Sequence, residues 1–272
     1  MIRLQTDHDV LLVDVSYYII YRYHALHRWF QMSDTPYDAL TFLDKYKQLF
    51  VSNLLKMVKK LKVKMPSNVV LVGDCSRKTI WRMELCPTYK ASRDDYWEKH
   101  PIKEEIFPAI HQELIPSLIE EKGFQYACVD RLEADDIVYC VKRQLQENGF
   151  EKRLLIITND NDYLQLAAAN VDILNLPAFK SITSRQTGCP RRDLLAKVLG
   201  GDPSDNIPRV VTKAKVTRYL KSEEADVTEE GVRAFVQAHK GDMAQYELNR
   251  TLICMEMIPE ELQRTVLIEL LK

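Results

Sequence analysis

The chain has 272 residues, 46% hydrophobic and 28% charged, with 38 basic side chains against 39 acidic ones and a formal charge of -1. This composition excludes wholesale disorder and supplies apolar material for one large domain or slightly more. It also excludes a uniformly basic nucleic-acid coat protein, but not a protein whose charges are sorted by region. No apolar run approaches the roughly 18 residues of a membrane span, and the N-terminal MIRLQTDHDV lacks an apolar signal core. A soluble, intracellular protein without membrane association is expected. Its six cysteines (Cys75, Cys86, Cys128, Cys140, Cys189, Cys254) show no CxxC pair and no zinc-like histidine spacing, so they are expected to be reduced and structural.

In chain order, the first strand signal is VLLVD at 10–14. A stretch with Tyr17, Tyr18, Tyr21, Tyr23, His24 and His27 follows, for which packing and substrate contact are both open. Residues 38–62 carry Leu40, Leu43, Leu49, Phe50, Leu54, Leu55, Val58 and Leu61 near helical spacing. The lysines from Lys56 to Lys64 at its end read best as a solvated face. Further strand runs are NVVLVGD (68–74), FQYACVD (124–130), RLLIITND (153–160) and VDILNL (171–176), with amphipathic stretches at 102–121 and 134–148 between them. Short continuous apolar runs indicate strands buried on both faces. The alternation predicts an α/β fold, a doubly wound and mainly parallel sheet whose sites lie beyond the carboxyl ends of the strands. After residue 180 helical patterns take over, at 190–199, 213–220, 228–239, 243–257 and 260–271. The expected division is an α/β core at 1–179 and a helical part at 180–272. No GxGxxG or GxxxxGK[ST] motif occurs.

Carboxylates cluster where the strands end. Asp14, Asp74 and Asp160 terminate three strand runs, Glu133, Asp135 and Asp136 open a helix, Asp162 follows Asp160, and Asp202 and Asp205 stand three apart in GGDPSDN. A single Asp after a strand is commonly a cap or turn residue, but five separated segments aimed at one rim exceed that explanation. Two carboxylates about 5 Å apart repel by roughly 3 kcal/mol at an effective dielectric of about 20, so such a rim demands cations or raised pKa values. Oxygen donors without cysteine or histidine select Mg²⁺, with Mn²⁺ able to substitute, over zinc. Two such ions about 4 Å apart suit phosphodiester hydrolysis. Glu133 and Asp136 share a helix face and Asp135 points about 100° away from Asp136. Glu133 and Asp135 therefore serve one site only if Glu133 sits at the helix entrance.

The motifs LLVDVS, VGDCSRKTIWRMELCPTYKASRD, RLEADDIV, LIITNDNDYLQL and KVLGGDPSDNIPRV, in this order over about residues 10–210, resemble the 5′-nucleases of the flap endonuclease type. That group includes bacteriophage 5′–3′ exonucleases and the phage RNase H that removes primers. The resemblance implies a PIN-like nuclease core and metal-dependent hydrolysis near 5′ ends of DNA or RNA–DNA hybrid. Carried over by motif, Asp14, Asp74, Glu133 and Asp135, with Asp136 beside them, look like one metal cluster; Asp160, Asp162, Asp202 and Asp205 look like the other. The region from about 77 to 122 matches a helical arch that admits a single-stranded 5′ end. Between Arg77 and Lys103 it carries seven basic and four acidic residues, a balance of +3. Lys90 and Arg93 match the basic pair at the scissile phosphate, where positive charge offsets charge developing in the transition state. Arg77, Lys78 and Arg82 would contact DNA, and Tyr89 would stack on bases. Trp81 suits either stacking or the core.

After Asn206 the chain reads PRVVTKAKVTRYL, whereas the family usually has a glycine-rich helix–hairpin–helix turn that holds a phosphate and a monovalent cation. Arg209, Lys213, Lys215 and Arg218 would bind duplex phosphates as point charges. Residues 180–218 hold nine basic and three acidic side chains, and 219–272 hold six and eleven, so the formal charge conceals a basic track beside an acidic centre. The expected substrate is DNA with a 5′ flap or free 5′ end, with RNA–DNA hybrid as a second. The protein would act as a monomer that meets replication proteins. Rival readings are a PIN-type or Toprim-like nuclease, and a junction-binding module without catalysis. A Toprim site does not require Asp14 and Asp74.

Overall fold

The computed structural model describes residues 2–33, 38–92, 106–180 and 187–270. Five strands form one sheet: β1 (Val10–Asp14), β2 (Val69–Val72), β3 (Gln125–Ala127), β4 (Leu154–Ile157) and β5 (Val171–Leu174). All neighbours are parallel, in the order β3-β2-β1-β4-β5. The order reverses between β1 and β4, which leaves a crevice at the carboxyl ends of these two strands, where open α/β sheets bind ligands.

Alternation of side chains explains the continuous apolar runs. Val10, Leu12, Val70, Val72, Leu154 and Ile156 face one core, while Leu11, Val13, Val69, Leu71, Leu155 and Ile157 face the other. On the second face pack α1 (Val15–Met32), α2 (Ala39–Leu61) and, after a π-helical turn at Ala109–Leu114, α4 (Ile115–Lys122). A short α3 (Arg82–Leu85) lies between β2 and that turn. The first face is covered by α5 (Ala134–Glu147) and by α10 (Glu260–Leu270).

Helix α1 is the element that the sequence pattern did not show. Its inward positions are Val15, Tyr18, Ile19, Tyr23, Leu26 and Phe30, a helical spacing blurred by tyrosines. Buried tyrosines are tolerated because their hydroxyls find backbone carbonyls. Tyr18 donates to the Phe50 carbonyl at 3.2 Å, and Tyr46 of α2 to that of Ile19 at 2.9 Å. His27 stacks on Tyr23, so this stretch is occupied largely by packing.

Beyond residue 180, α6 (Pro190–Gly200), α7 (Lys213–Lys221), α8 (Glu229–Ala238) and α9 (Met243–Ile253) enclose a third core with Ile80, Cys86 and Tyr89. Packing crosses the expected 179/180 division, since Met255, Ile258, Leu262 and Val266 return to the sheet's first face. All six cysteines are free. Among the described residues no helix is long and apolar enough to cross a membrane.

Candidate metal centre

Strand register brings the first carboxylates together. Asp14 ends β1 opposite Val72, and Val13 pairs with Ile157, so Asp74 and Thr158 flank Asp14 on either side. Asp14 caps α1 by accepting from the Tyr17 N–H at 2.9 Å. Its other oxygen accepts from the hydroxyls of Thr158 and Tyr163, each at 3.2 Å. Burial, helped by the charges of Asp74 and Asp160, pushes the Asp14 carboxyl up to about 7. Asp74 accepts from the Ser16 hydroxyl at 2.6 Å and from the Ala134 N–H at 2.8 Å, which ties β2 to the starts of α1 and α5.

Glu133 is the N-cap of α5, with extended φ and ψ of -85° and 163°. It therefore sits at the helix entrance, the position from which Glu133 and Asp135 can serve one site. Glu133, Asp135 and Asp136 bring carboxylate oxygens within 4.8 Å of one another. Burial and then the charges of Asp136 and Glu133 raise the Asp135 carboxyl well above its usual range. Burial also opposes ionisation of Glu133, but Lys90 and Arg82 outweigh it and hold that carboxyl at about 2.

Burial bears on three of these residues, and for Arg82 and Tyr89 it opposes the expected contact with DNA. Arg82, expected on DNA, is buried with its fork on both oxygens of Asp136, each at 2.7 Å, and on Glu133 at 2.9 Å. Its Nε donates to the Leu252 carbonyl at 2.7 Å, so the guanidinium is turned into the protein interior and away from a phosphate. Tyr89, expected to stack on bases, is buried and donates its hydroxyl to Glu133 at 3.1 Å. Asp136, expected beside the metal set, keeps an oxygen within 4.8 Å of those of Glu133 and Asp135 while also accepting from Arg82 and from the Trp81 Nε1 at 3.1 Å. It braces the helix entrance by accepting from the Glu133 N–H. Trp81 is thereby a core residue.

Lys90 enters the cluster from the base of the arch. Its ammonium meets Glu133 and lies 3.9 Å from Asp205, and its N–H donates to the Asp205 carbonyl at 3.0 Å. Ser92 donates its N–H to the Asn206 side chain at 3.0 Å. The arch base is thus docked on the GDPSDN turn. Arg77 is half-buried and Lys78 exposed at the arch base, whereas Arg93 falls outside the described residues, with Lys99 and Lys103.

The second cluster comprises Asp162, Asp202 and Asp205, again with oxygens within 4.8 Å of one another. Asp160 caps the 3-10 turn that carries Asp162, accepting from its N–H at 3.0 Å. Asp202 accepts from the Ser204 N–H at 3.0 Å and hydroxyl at 2.5 Å. The turn depends on Gly201, at φ +73°, where a Cβ would lie 2.5 Å from the Ile207 carbonyl oxygen. Lys197, which the sequence reading counted only as part of a basic segment, reaches Asp162 and lies 2.6 Å from Asp202. Burial and Asp160 raise the Asp162 carboxyl to about 6 despite Lys197. Ser16, Thr158 and Tyr163 were likewise not anticipated, although the last two stand inside LIITNDNDYLQL.

Both clusters fit a hard divalent cation. Their donors are all oxygen, and the raised carboxyls of Asp14, Asp135 and Asp162 mark negative charge that the protein's own cations leave partly uncompensated. The basic track has a simpler form. Arg209, Lys213, Lys215 and Arg218 are exposed, but the N–H groups of Val210 and Val211 both donate to the Leu199 carbonyl, at 2.9 and 3.1 Å. These amides of the glycine-free turn are engaged within the protein, and the exposed side chains carry the positive charge.

The family model of the 5′–3′ exonuclease, N-terminal resolvase-like domain, matches residues 9–192. A 5′–3′ exonuclease of Buchnera aphidicola subsp. Baizongia pistaciae is 29% identical over 227 residues, covering 81% of this chain and 68% of that relative. The ribonuclease H of Enterobacteria phage T4 is 24% identical over 237 residues, covering 82% and 76% respectively. A bacteriophage T5 flap endonuclease, solved as a pseudo-enzyme–product complex with DNA and metal ions, shares the fold. It gives a TM-score of 0.63 at 14% identity and covers 96% of this chain and 97% of that one.

Proposed function

The chain belongs to the 5′–3′ exonuclease family with an N-terminal resolvase-like domain and is a 5′ nuclease; from that premise we propose that it cleaves phosphodiesters at DNA flaps and free 5′ ends, and in RNA–DNA hybrid, with Mg²⁺. The observation that carries this reading is the meeting of carboxylates from both sides of the β1/β4 crevice with the Lys90 ammonium among them.

Asp14, Asp74, Glu133 and Asp135 would hold one ion, and Asp160, Asp162, Asp202 and Asp205 the other. Held by these carboxylates, divalent ions would supply an activated water and offset charge on the leaving oxygen. Lys90, already at the junction of the two clusters, exchanges Glu133 for the scissile phosphate and offsets the charge that develops there. Arg93 supplies the second positive charge that the family resemblance assigns to that phosphate. Arg82 and Asp136 fix the helix entrance, so Glu133 and Asp135 are oriented before substrate arrives. Arg77 and Lys78 receive the strand at the arch base. Arg209, Lys213, Lys215 and Arg218 hold duplex phosphates without sequence preference. The test is cleavage of a 5′-labelled flap and of an RNA–DNA hybrid in Mg²⁺. Release of short 5′ products by the wild type and not by Asp135→Asn is expected; no cleavage by the wild type, or equal cleavage by the variant, overturns the proposal.

A further inference from the structure

The second carboxylate cluster already contains a cation supplied by the chain. Lys197 contacts Asp162 and Asp202, and the helix that carries it is held in register by Leu195, Val198 and Leu199 in the third core. The side chain retains 25% exposure, and it lines a cavity of about 340 Å³ between α6 and α7, with Asp162, Asp202 and Lys213 also on its wall. The first cluster differs. There the ammonium of Lys90 and the guanidinium of Arg82 meet Glu133 and Asp136, whereas Asp14, Asp74 and Asp135 make no ion pair with another described residue. A divalent ion entering the first cluster finds Asp14, Asp74 and Asp135 without a competing cation, Glu133 alone of the four being paired. One entering the second must displace an ammonium from Asp162 and Asp202, two of its four carboxylates.

We propose that Lys197 is an exchangeable counter-cation of the second cluster. It neutralises Asp162 and Asp202 while no divalent ion is bound, lowers that cluster's affinity for such an ion, and withdraws into the adjoining cavity when one binds. The ammonium competes by charge and position: the same oxygen atoms cannot accept its short N–H bonds and coordinate a cation at full strength. This rests on the metal-dependent reading above, but concerns binding alone, so its test uses Mn²⁺ and no nucleic acid. A failure of cleavage and a failure of this inference are thereby separate results.

The full chain and Lys197→Met are titrated with Mn²⁺, free ion being followed by electron paramagnetic resonance. The variant is expected to bind its weaker Mn²⁺ roughly tenfold more tightly, with the tighter site unmoved and the gain abolished by adding Asp202→Asn. Lys197→Arg, which keeps a cation, is expected to bind as the wild type does. Identical isotherms for wild type and Lys197→Met, or weaker binding by the variant, overturn the inference. A wild-type crystal soaked in Mn²⁺ provides the check that needs no variant: an ion at Asp162 and Asp202 with Lys197 drawn away supports the proposal, and an ion there with Lys197 still on both carboxylates overturns it.

Discussion

The two carboxylate clusters are made of different material. Asp14 and Asp74 follow buried parallel strands, and Asp135 stands in the first turn of a helix whose entrance is clamped by the Arg82–Asp136 fork. Asp162, Asp202 and Asp205 come from 3-10 turns, and their arrangement depends on Ser204 and on a partly exposed lysine. Sheet register fixes the first set before any ligand arrives. The second is set by polar contacts that a cation would replace. A site of this composition has one half preorganised by packing and another tuned by charge.

The contrast predicts that damage to the first cluster is severe and specific. Asp135→Asn should lower flap cleavage by about 10²–10³-fold, while the melting temperature holds or rises because a repelled carboxylate is removed. Activity within tenfold of wild type would break the assignment. Next in size, Arg82→Met should cost about 3–5 kcal/mol in urea denaturation, since it leaves Asp136 and Glu133 buried without their fork. Lys197→Met should cost clearly less, and equal losses would erase the distinction between clamp and counter-ion.

A smaller effect is expected from pH. Asp14 and Asp162 have folded-state carboxyls raised to about 7 and about 6, whereas unfolded aspartate titrates near 3.9. The native state holds these protons where the unfolded chain has released them. Their contribution is therefore complete below about pH 4 and is lost as pH rises through 6 and 7. Glu133, held at about 2, acts only in more acid solution. In a chelator, the slope of melting temperature between pH 5 and 8 should be less favourable for wild type than for Asp14→Asn, and Mg²⁺ should remove the difference; parallel slopes would contradict it. The smallest effect concerns the basic track. Lys213→Ala and Lys215→Ala should each reduce the salt slope of duplex binding by about 1, and an unchanged slope would move the duplex contact elsewhere.

The strands and the carboxylates were legible because both are local signals. An apolar run bounded by Asp declares a buried strand end, and the two-residue spacing of Glu133 and Asp135 allows one site only if Glu133 stands at the helix entrance. Residues whose meaning lies in distant partners were not legible. Arg82 meets Asp136 across 54 positions and Leu252 across 170, and nothing nearby in sequence separates a buried arginine from one on DNA. Tyr89 gave the same false impression, because an aromatic beside a lysine looks alike on a stacking platform and in a core. Helix α1 escaped because tyrosines occupy positions where leucine would have shown the period, and Lys197 because its acceptors approach from two other segments.

The bond from Arg82 to the Leu252 carbonyl bears on how the enzyme comes into being. During synthesis every carboxylate of the first cluster is in the chain once residue 136 is added, yet the guanidinium that steadies Glu133 lacks one of its acceptors until residue 252. The strip from Met255 to Val266 that closes the sheet's first face arrives later still. A chain cut at the 179/180 division would keep the strands and lose the Met255–Val266 strip of the first face and one anchor of the clamp.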